Sequence, residues 1–143
     1  GDGNINDFHI SGSGGDFYFS NGHVTASGNI SASINSELSY GGATIHSVKS
    51  FSAGDTTPDV SNGTIFKTNN SLVGSTTITG FDNGTAGQII YVIHADNNTD
   101  FTDGTNLQLF RGLDYTTGQT NDVVTFICLD GTKWLEQSRN DNT

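Results

Sequence analysis

The sequence predicts an all-β protein: an antiparallel β-sandwich or barrel-like C-terminal domain, preceded by a thin β-rich segment. First, good helix formers are scarce, since the chain has 19 Gly and no Met, with Glu only at Glu37 and Glu136, whereas β-formers such as Thr, Ile and Phe are frequent. Second, short runs alternate apolar and polar residues with a period of two. Third, Asn-Gly or Asp-Gly pairs, typical of tight turns, recur at residues 21–22, 62–63, 83–84, 103–104 and 130–131.

Residues 1–52 are predicted to form a shaft-like or oligomerisation segment. Phe17 and Phe19 share one strand face, Asn21-Gly22 supplies a tight turn and Val24 begins the return, so a hairpin is expected there. The segment is poor in large apolar residues and rich in Gly and Ser. It buries too little apolar surface to offset ~1–2 kcal/mol of backbone entropy per residue. We therefore expect it to pack against a neighbour, either more of the chain or another copy.

Residues 53–143 are predicted to form the C-terminal β domain, and the segment around the single proline, Pro58, marks the boundary. Strands are predicted at residues 64–68, 75–79, 88–94 and 106–110, with a closing hairpin around Asp130-Gly131. Apolar residues in 88–94 lie on both faces of the predicted strand, which predicts a central strand covered on both faces. The unequal spacing of the turn signals argues against a strict solenoid repeat.

Composition excludes several partners and sites. The net charge of −10 disfavours nucleic acid and anionic membrane surfaces, and no apolar stretch reaches the ~20 residues of a membrane helix. Cys128 lies in an apolar run and is expected to be a buried, inert thiol. The four histidines have no metal-ligand spacing, so neither a metal site nor a cofactor is predicted; they are His9, His23, His46 and His94.

The segment Asp96 to Asp103 begins like a calcium loop, with side-chain oxygens at Asp96, Asn98 and Asp100. Phe101, however, stands where such a loop requires Gly, and no Glu closes it. An acidic surface loop is the favoured interpretation, with calcium binding as the alternative. No nucleophile motif has the required strand-to-helix context, so no catalytic residue is predicted.

Aromatic side chains are the candidate ligand-binding residues, because an exposed ring can stack on a sugar. Packing in the core is the alternative role for each of them. The candidates are Tyr18, Tyr40, Tyr115 and Trp134.

Three stretches, "TPDVSNGTIFKTNN", "TTITGFDNGTAGQIIYVIHADNNT" and "NDVVTFICLDGTKWLEQSR", resemble the C-terminal segment of bacteriophage tail fibres, tailspikes and related virion surface proteins. The resemblance covers more than half of the chain. It implies structural roles in turns, core and strand ends for the matching positions, which are Pro58, Val60, Gly63, Phe66, Thr68, Phe81, Asp82, Gly84, Gly87, Gln88, Asp130, Gly131, Trp134, Glu136, Ser138 and Arg139.

In that family the segment follows a β-helical or fibrous shaft and assembles as a homotrimer. The resemblance thus implies a protein of the virion surface, on tail or capsid, whose partners are itself, other virion proteins and a host-surface glycan. Attachment to the host by glycan binding is the first expectation. A purely structural trimerisation cap, head fibre or capsid decoration protein is the alternative. Catalytic members of the family carry their carboxylates upstream in the shaft, so no enzyme activity is expected here, although a fragment of a glycan-cleaving tailspike is a further alternative.

Overall fold

A computed structural model describes residues 43–116 and 119–142 of the chain. Within these residues the regular structure is strand, apart from one short 3₁₀ turn at Phe110–Gly112. The all-β prediction is therefore confirmed. The predicted hairpin at Asn21-Gly22 and the candidate ligand residues Tyr18 and Tyr40 lie outside the described residues.

The described strands are short, and most lie where the alternation of the sequence predicts them. The predictions at residues 64–68, 75–79 and 88–94 and the closing hairpin are confirmed, while the strand predicted at 106–110 is shorter. β1 and β5 were not predicted. The strands are β1 Val48–Ser50, β2 Ile65–Lys67, β3 Thr76–Ile78, β4 Ile89–Ile93, β5 Thr99–Phe101, β6 Leu107–Gln108, β7 Val123–Cys128 and β8 Trp134–Asn140.

Six strands form one mixed sheet in the order β1-β2-β4-β7-β8-β6, and β3 pairs with β5 in a second sheet. Only the β4–β7 and β7–β8 pairs are antiparallel. The prediction of an antiparallel domain is wrong for the other pairs, which are parallel. The loops between these strands are long enough to carry the chain back to the starting end of the sheet, and turn residues alone do not reveal such a return.

The parallel pairs arise because the chain winds in stacked coils. Val48 aligns with Ile65, and Ile65 in turn aligns with Tyr91 on the next coil. The same stacking joins β3 to β5, and a parallel bridge joins Asp59 to Asp82. Successive coils differ in length, so no strict repeat exists in the sequence even though the path resembles that of a solenoid.

The hairpin β7–β8 closes this stack with antiparallel pairing against β4. Its inner face joins an aromatic core, in which the Phe81 ring lies 5.1 Å from that of Phe126 and 5.3 Å from that of Trp134. Phe101 of β5 also packs on Phe126, at 5.3 Å. Burial of each such ring contributes about 1.5–3 kcal/mol to stability.

The described residues belong to one compact unit that begins at Ala43. β1 pairs with β2, and the Phe51 ring stacks on that of Phe66 with centroids 5.1 Å apart. Residues 48–51 are therefore part of this unit, and Phe51 belongs to its core. The division into residues 1–52 and 53–143, and the shaft-like character of the first segment, stay predictions.

Candidate functional site

Two glycines of the motifs, Gly63 and Gly84, serve close packing and not turn geometry. A Cβ at Gly84 would lie 2.4 Å from Cζ2 of Trp134, and one at Gly63 would lie 2.6 Å from Cζ of Phe66. Neither glycine has a positive φ, whereas Asn83 (φ 58°) and Gly131 (φ 100°) do. These glycines therefore let an aromatic ring touch the backbone, a requirement that a turn signal in the sequence does not reveal.

Gln88 joins the first motif to the middle one. Its Nε2 donates hydrogen bonds to the carbonyl oxygens of Val60 at 2.8 Å and of Gly63 at 3.2 Å. Its Oε1 accepts from the backbone N–H of Thr85 at 3.0 Å. One amide side chain thus fixes two loops of different coils.

The residues around Asp82 stack the coil that contains Pro58 onto the next one. The backbone N–H of Asp82 donates to the carbonyl of Pro58 at 3.1 Å, and the N–H of Val60 donates to the carbonyl of Asp82 at 3.0 Å. The Asp82 carboxylate accepts from the Thr57 hydroxyl at 3.1 Å. Asp82 is therefore engaged in stacking, in keeping with the structural role that the resemblance implies.

The hairpin turn is held by Asp130 and by glycines that flank Cys128. The Asp130 carboxylate accepts from the backbone N–H groups of Thr132 at 3.0 Å and Lys133 at 2.7 Å, and these bonds lower its pKa. Gly87, with φ 84°, donates its N–H to the Cys128 carbonyl at 2.8 Å. Cys128 is buried, as predicted, and its Sγ accepts from the N–H of Gly131 at 3.2 Å.

Glu136 and Arg139 anchor the loop after β6. Arg139 Nη2 and Glu136 Oε2 form an ion pair at 2.5 Å, and the same oxygen accepts from the backbone N–H of Phe110 at 2.8 Å. Burial opposes ionisation of Glu136, but the hydrogen bonds from Arg139 and Phe110 hold its pKa below its usual value. Arg139 also lies 4.7 Å over the Tyr115 ring and reaches the carbonyl of Leu113 at 3.3 Å. Both ends of the loop are thus fixed.

The anchored loop exposes apolar side chains that the sequence analysis missed. Phe110 and Leu113 are each 60% exposed, and Arg111, with φ 60°, places its guanidinium 5.0 Å over the Phe110 ring. A positive φ at Arg111 is strained, since only Gly adopts it cheaply. In the sequence, Gly112, which follows Arg111, is the residue that indicates a turn here. A groove of about 240 Å³ lies beside the loop, lined by Phe110, Glu136, Gln137, Ser138 and Arg139.

The predicted sugar-stacking residues within the described range are buried. Trp134 is 0% exposed and Tyr115 is 9% exposed. The Tyr115 hydroxyl donates to Asp122 at 2.8 Å, and its ring packs on Phe101 and under Arg139. A ring covered in this way offers no face to a sugar, so both residues act in packing, the alternative considered for them.

The segment Asp96 to Asp103, predicted as an acidic surface loop with calcium binding as the alternative, instead contains strand β5 and part of a buried hydrogen-bond network. Asp96 is 4% exposed and accepts from the N–H groups of Asn70 and Asn98 and from the Thr99 hydroxyl. Asp100 lies within β5. In the described part of the chain no cluster of three or more His, Cys, Asp or Glu side chains is arranged to hold a metal ion. The Asp96 oxygens serve the fold itself.

The face of the six-stranded sheet turned away from the core, here called the outer face, leaves apolar side chains exposed. Ile90 and Val92 of β4 are buried on the inner face, while Ile89 and Tyr91 remain 40% and 42% exposed on the outer one. The described residues thus leave open a face that the sequence analysis expected to be covered. Strand register aligns its apolar residues across five strands, and these are Val48, Ile65, Ile89, Tyr91, Ile93, Val123, Ile127 and Leu135.

The polar residues of the outer face are almost all neutral. Five of them are exposed, namely Ser50, Lys67, Gln108, Ser138 and Asn140, and the sixth, Thr125, is 8% exposed. Lys67 is the one charged residue among the described strand positions of this face, and no carboxylate lies there. Exposed apolar side chains grouped on one face of a sheet often mark a protein interface.

A second groove, of about 470 Å³, lies at the β1 edge of the sheet, lined by Ile45, His46, Ser47, Lys49, Asn62, Gly63 and Thr64. Among the described residues no helix is long and apolar enough to cross a membrane. No family model, no curated protein and no solved structure matches this chain.

Proposed function

We propose that this chain is the C-terminal, self-assembling structural part of a phage-type virion surface protein, a fibre or spike on tail or capsid. The supporting observation is the mutual packing of its motif residues. Gly84 lies against Trp134, Gly63 lies against Phe66, and Gln88 joins the two loops that carry these glycines. Such residues close a stack of coils with a hairpin, which is the task of a cap.

The same geometry favours the structural role over attachment through the sequence-predicted aromatic residues. Sugar binding by stacking needs an exposed ring, and Tyr115 and Trp134 are buried. Glycoside cleavage needs two carboxyl groups about 5–9.5 Å apart across an open groove. The groove beside Phe110 contains one carboxylate, Glu136, which is paired with Arg139. The proposed role is therefore non-enzymatic and uses no cofactor.

The proposed partners are other copies of the chain, as a homotrimer, and other virion proteins. The net charge of −10 opposes binding to nucleic acid. No membrane insertion is part of the proposal.

Host attachment is the second candidate function, and one observation favours it. Phe110 and Leu113 project from a loop whose two ends are fixed by Glu136 and Arg139. A fixed loop with exposed apolar side chains loses little conformational entropy on binding. A host-surface glycan or protein would meet this loop and the adjacent groove.

The two roles are separable in phage particles that carry this chain. Deletion of residues 53–143 should abolish folding and assembly if the domain is a cap, and it should leave intact particles that fail to adsorb if the domain is only an adhesin. Two point variants sharpen the test. Gly84→Ala should reduce assembly through the Trp134 contact, and the double variant Phe110→Ala/Leu113→Ala should reduce adsorption with normal assembly. Particles that assemble and adsorb normally with each of these changes would contradict both roles.

A further inference from the structure

The outer face has exposed apolar side chains and no carboxylate at its described strand positions. We propose that it packs against the same face of other copies, so that the apolar side chains of β1, β2, β4, β7 and β8 become buried between subunits. This inference rests on the proposed self-assembling role and names the surface that performs it.

Charge is the first argument that the occupant is another copy. The chain has 15 acidic and 5 basic residues, so most pairings of its own surface would bring carboxylates together. Like charges placed opposite each other at an interface cost several kcal/mol. The outer face avoids this repulsion, because its described strand positions include no Asp or Glu and one cation, Lys67. A strongly acidic protein can contact itself most readily through such a face.

The exposure of the central residues is the second argument. Ile89 and Tyr91 lie on β4, the third strand of the sheet, and are 40% and 42% exposed. Val48, on the edge strand β1, is 53% exposed. Apolar residues in the middle of a sheet are normally covered, since the hydrophobic effect contributes about 25 cal/mol per Å² of apolar surface removed from water. The outer face thus combines exposed apolar residues in the middle of a sheet with an absence of carboxylates at its described strand positions.

The dimensions of the face set the size of the interface that it can form. Six strands spaced by ~4.8 Å give a width of roughly 24 Å, and the strands run from two residues in β6 to seven in β8, which corresponds to lengths of roughly 7–23 Å. The flat area is therefore on the order of 400 Å². A stable interface takes about 800 Å² of accessible surface from each partner. The side chains that protrude from the sheet raise the accessible area above this flat value. In a trimer, the face of each copy would also contact two neighbours around the shared axis.

The test is the solution mass of the 143-residue chain and of matched variants, measured by light scattering over a range of concentrations. We expect the wild-type mass to be a multiple of 15.1 kDa. The double variant Ile89→Glu/Tyr91→Glu places carboxylates at two exposed positions of the outer face, and we expect its dissociation constant to rise at least about 100-fold. The matched control is Leu72→Glu, because Leu72 is 96% exposed and lies in a turn outside the sheet. This control should keep the wild-type mass.

Folding of each variant is checked with the fluorescence of Trp134, the only tryptophan, which is buried in the core. If the double variant unfolds, Tyr91→Ser provides a milder change at the same face, and it should weaken association about 10-fold or more. An oligomer that persists in the folded double variant would overturn the assignment of the face and leave self-assembly intact. If Leu72→Glu dissociates as much as the double variant, the assignment is overturned too, because an added negative charge at any surface position would then be enough to separate the copies.

A monomeric wild-type chain would contradict self-assembly itself. If its double variant is also less stable than wild type, the outer face is covered by another part of the same chain. That result would overturn the inference as well, while the proposed capping role would still be decided by the deletion experiment.

Discussion

The indole of Trp134 lies so close to the backbone of Gly84 that a Cβ at residue 84 would be 2.4 Å from Cζ2. Behind the indole lies the aromatic core, with the Phe81 ring 5.3 Å away, so the ring has no room to retreat. This contact joins the middle motif of the sequence to the final one.

We expect Gly84→Ala to lower the free energy of unfolding by about 1–3 kcal/mol, because the added methyl group overpacks the core. The measurement is urea denaturation followed by Trp134 fluorescence. Gly104→Ala is the matched control, since a Cβ there meets nothing within 4 Å and the residue needs no positive φ. Its effect should stay within about 0.5 kcal/mol. Equal midpoints for the two variants would contradict the close contact.

His94 should make stability fall in mildly acidic solution. Its side chain is 0% exposed, and neither ring nitrogen has a hydrogen-bond partner among the described residues. Burial lowers the pKa of His94, although Asp122, Asp96 and Asp100 act in the opposite direction. The unfolded chain takes up a proton near pH 6.5 and the folded chain does not. The free energy of unfolding should therefore decrease below about pH 6.5, by up to about 1.4 kcal/mol per pH unit, until the lowered pKa is reached.

The measurement is the urea midpoint at pH 7.5 and at pH 5.5. We expect His94→Leu to remove most of the difference between the two, because Leu carries no titrating group. His46→Gln is the control, since His46 is exposed, and it should retain the wild-type difference. An unchanged difference in His94→Leu would show that another group is responsible.

Asp122 should be a main determinant of stability at neutral pH. Its Oδ2 accepts from the Tyr115 hydroxyl and the N–H of Gln119, both at 2.8 Å, and its Oδ1 accepts from the N–H of Asn142 at 2.9 Å. In Asp122→Asn the new NH₂ group must face one of these donors. We expect a loss of about 2 kcal/mol in urea denaturation, against about 1 kcal/mol for Tyr115→Phe.

The pH dependence of Asp122 provides the check. The N–H groups of Gln119 and Asn142 lower its pKa, so its contribution is present above the unfolded value, about 3.9, and is lost as pH falls through the lower folded value. The stability difference between wild type and Asp122→Asn should accordingly shrink at pH 3 or below. A difference independent of pH would contradict the role of the ionised carboxylate.

Glu136 should control how often the Phe110 loop opens. Its Oε2 accepts from the Phe110 N–H at 2.8 Å, and a hydrogen bond to a charged group contributes about 1.5–3 kcal/mol. We expect Glu136→Ala to accelerate hydrogen exchange of the Phe110 amide about 10- to 100-fold. The control is Gln137→Ala at the next, exposed position of β8, which should leave that exchange rate within about 3-fold of wild type. Equal rates in the two variants would show that the loop is held by other contacts.

The alternation of apolar and polar residues was a reliable guide to β2, β3, β4 and the hairpin β7–β8, because the side-chain period of a strand is a local property. It did not reveal β5, Thr99–Phe101, whose residues look like an acidic loop. The polar residues there are satisfied by distant partners: Thr99 contacts Asn70, for example. A local pattern contains no information about such contacts.

The candidate site was less predictable than the fold. The motif positions were found from the sequence, but the structure assigns Trp134 and Tyr115 to the core, and the exposed Phe110 and Leu113 were not predicted. An aromatic residue has the same local signal whether its ring faces water or another ring.

The sequence by itself determined the β class, the positions of most strands and the buried Cys128, because each follows from composition or from a period-two pattern. Only the tertiary structure decided that β1, β2 and β4 run parallel, that Gly63 and Gly84 accommodate aromatic rings, and that the outer face lies open. The physical reason is that strand direction, ring-to-backbone contacts and the burial of a face depend on residues far apart in the chain, which become neighbours only when the coils stack.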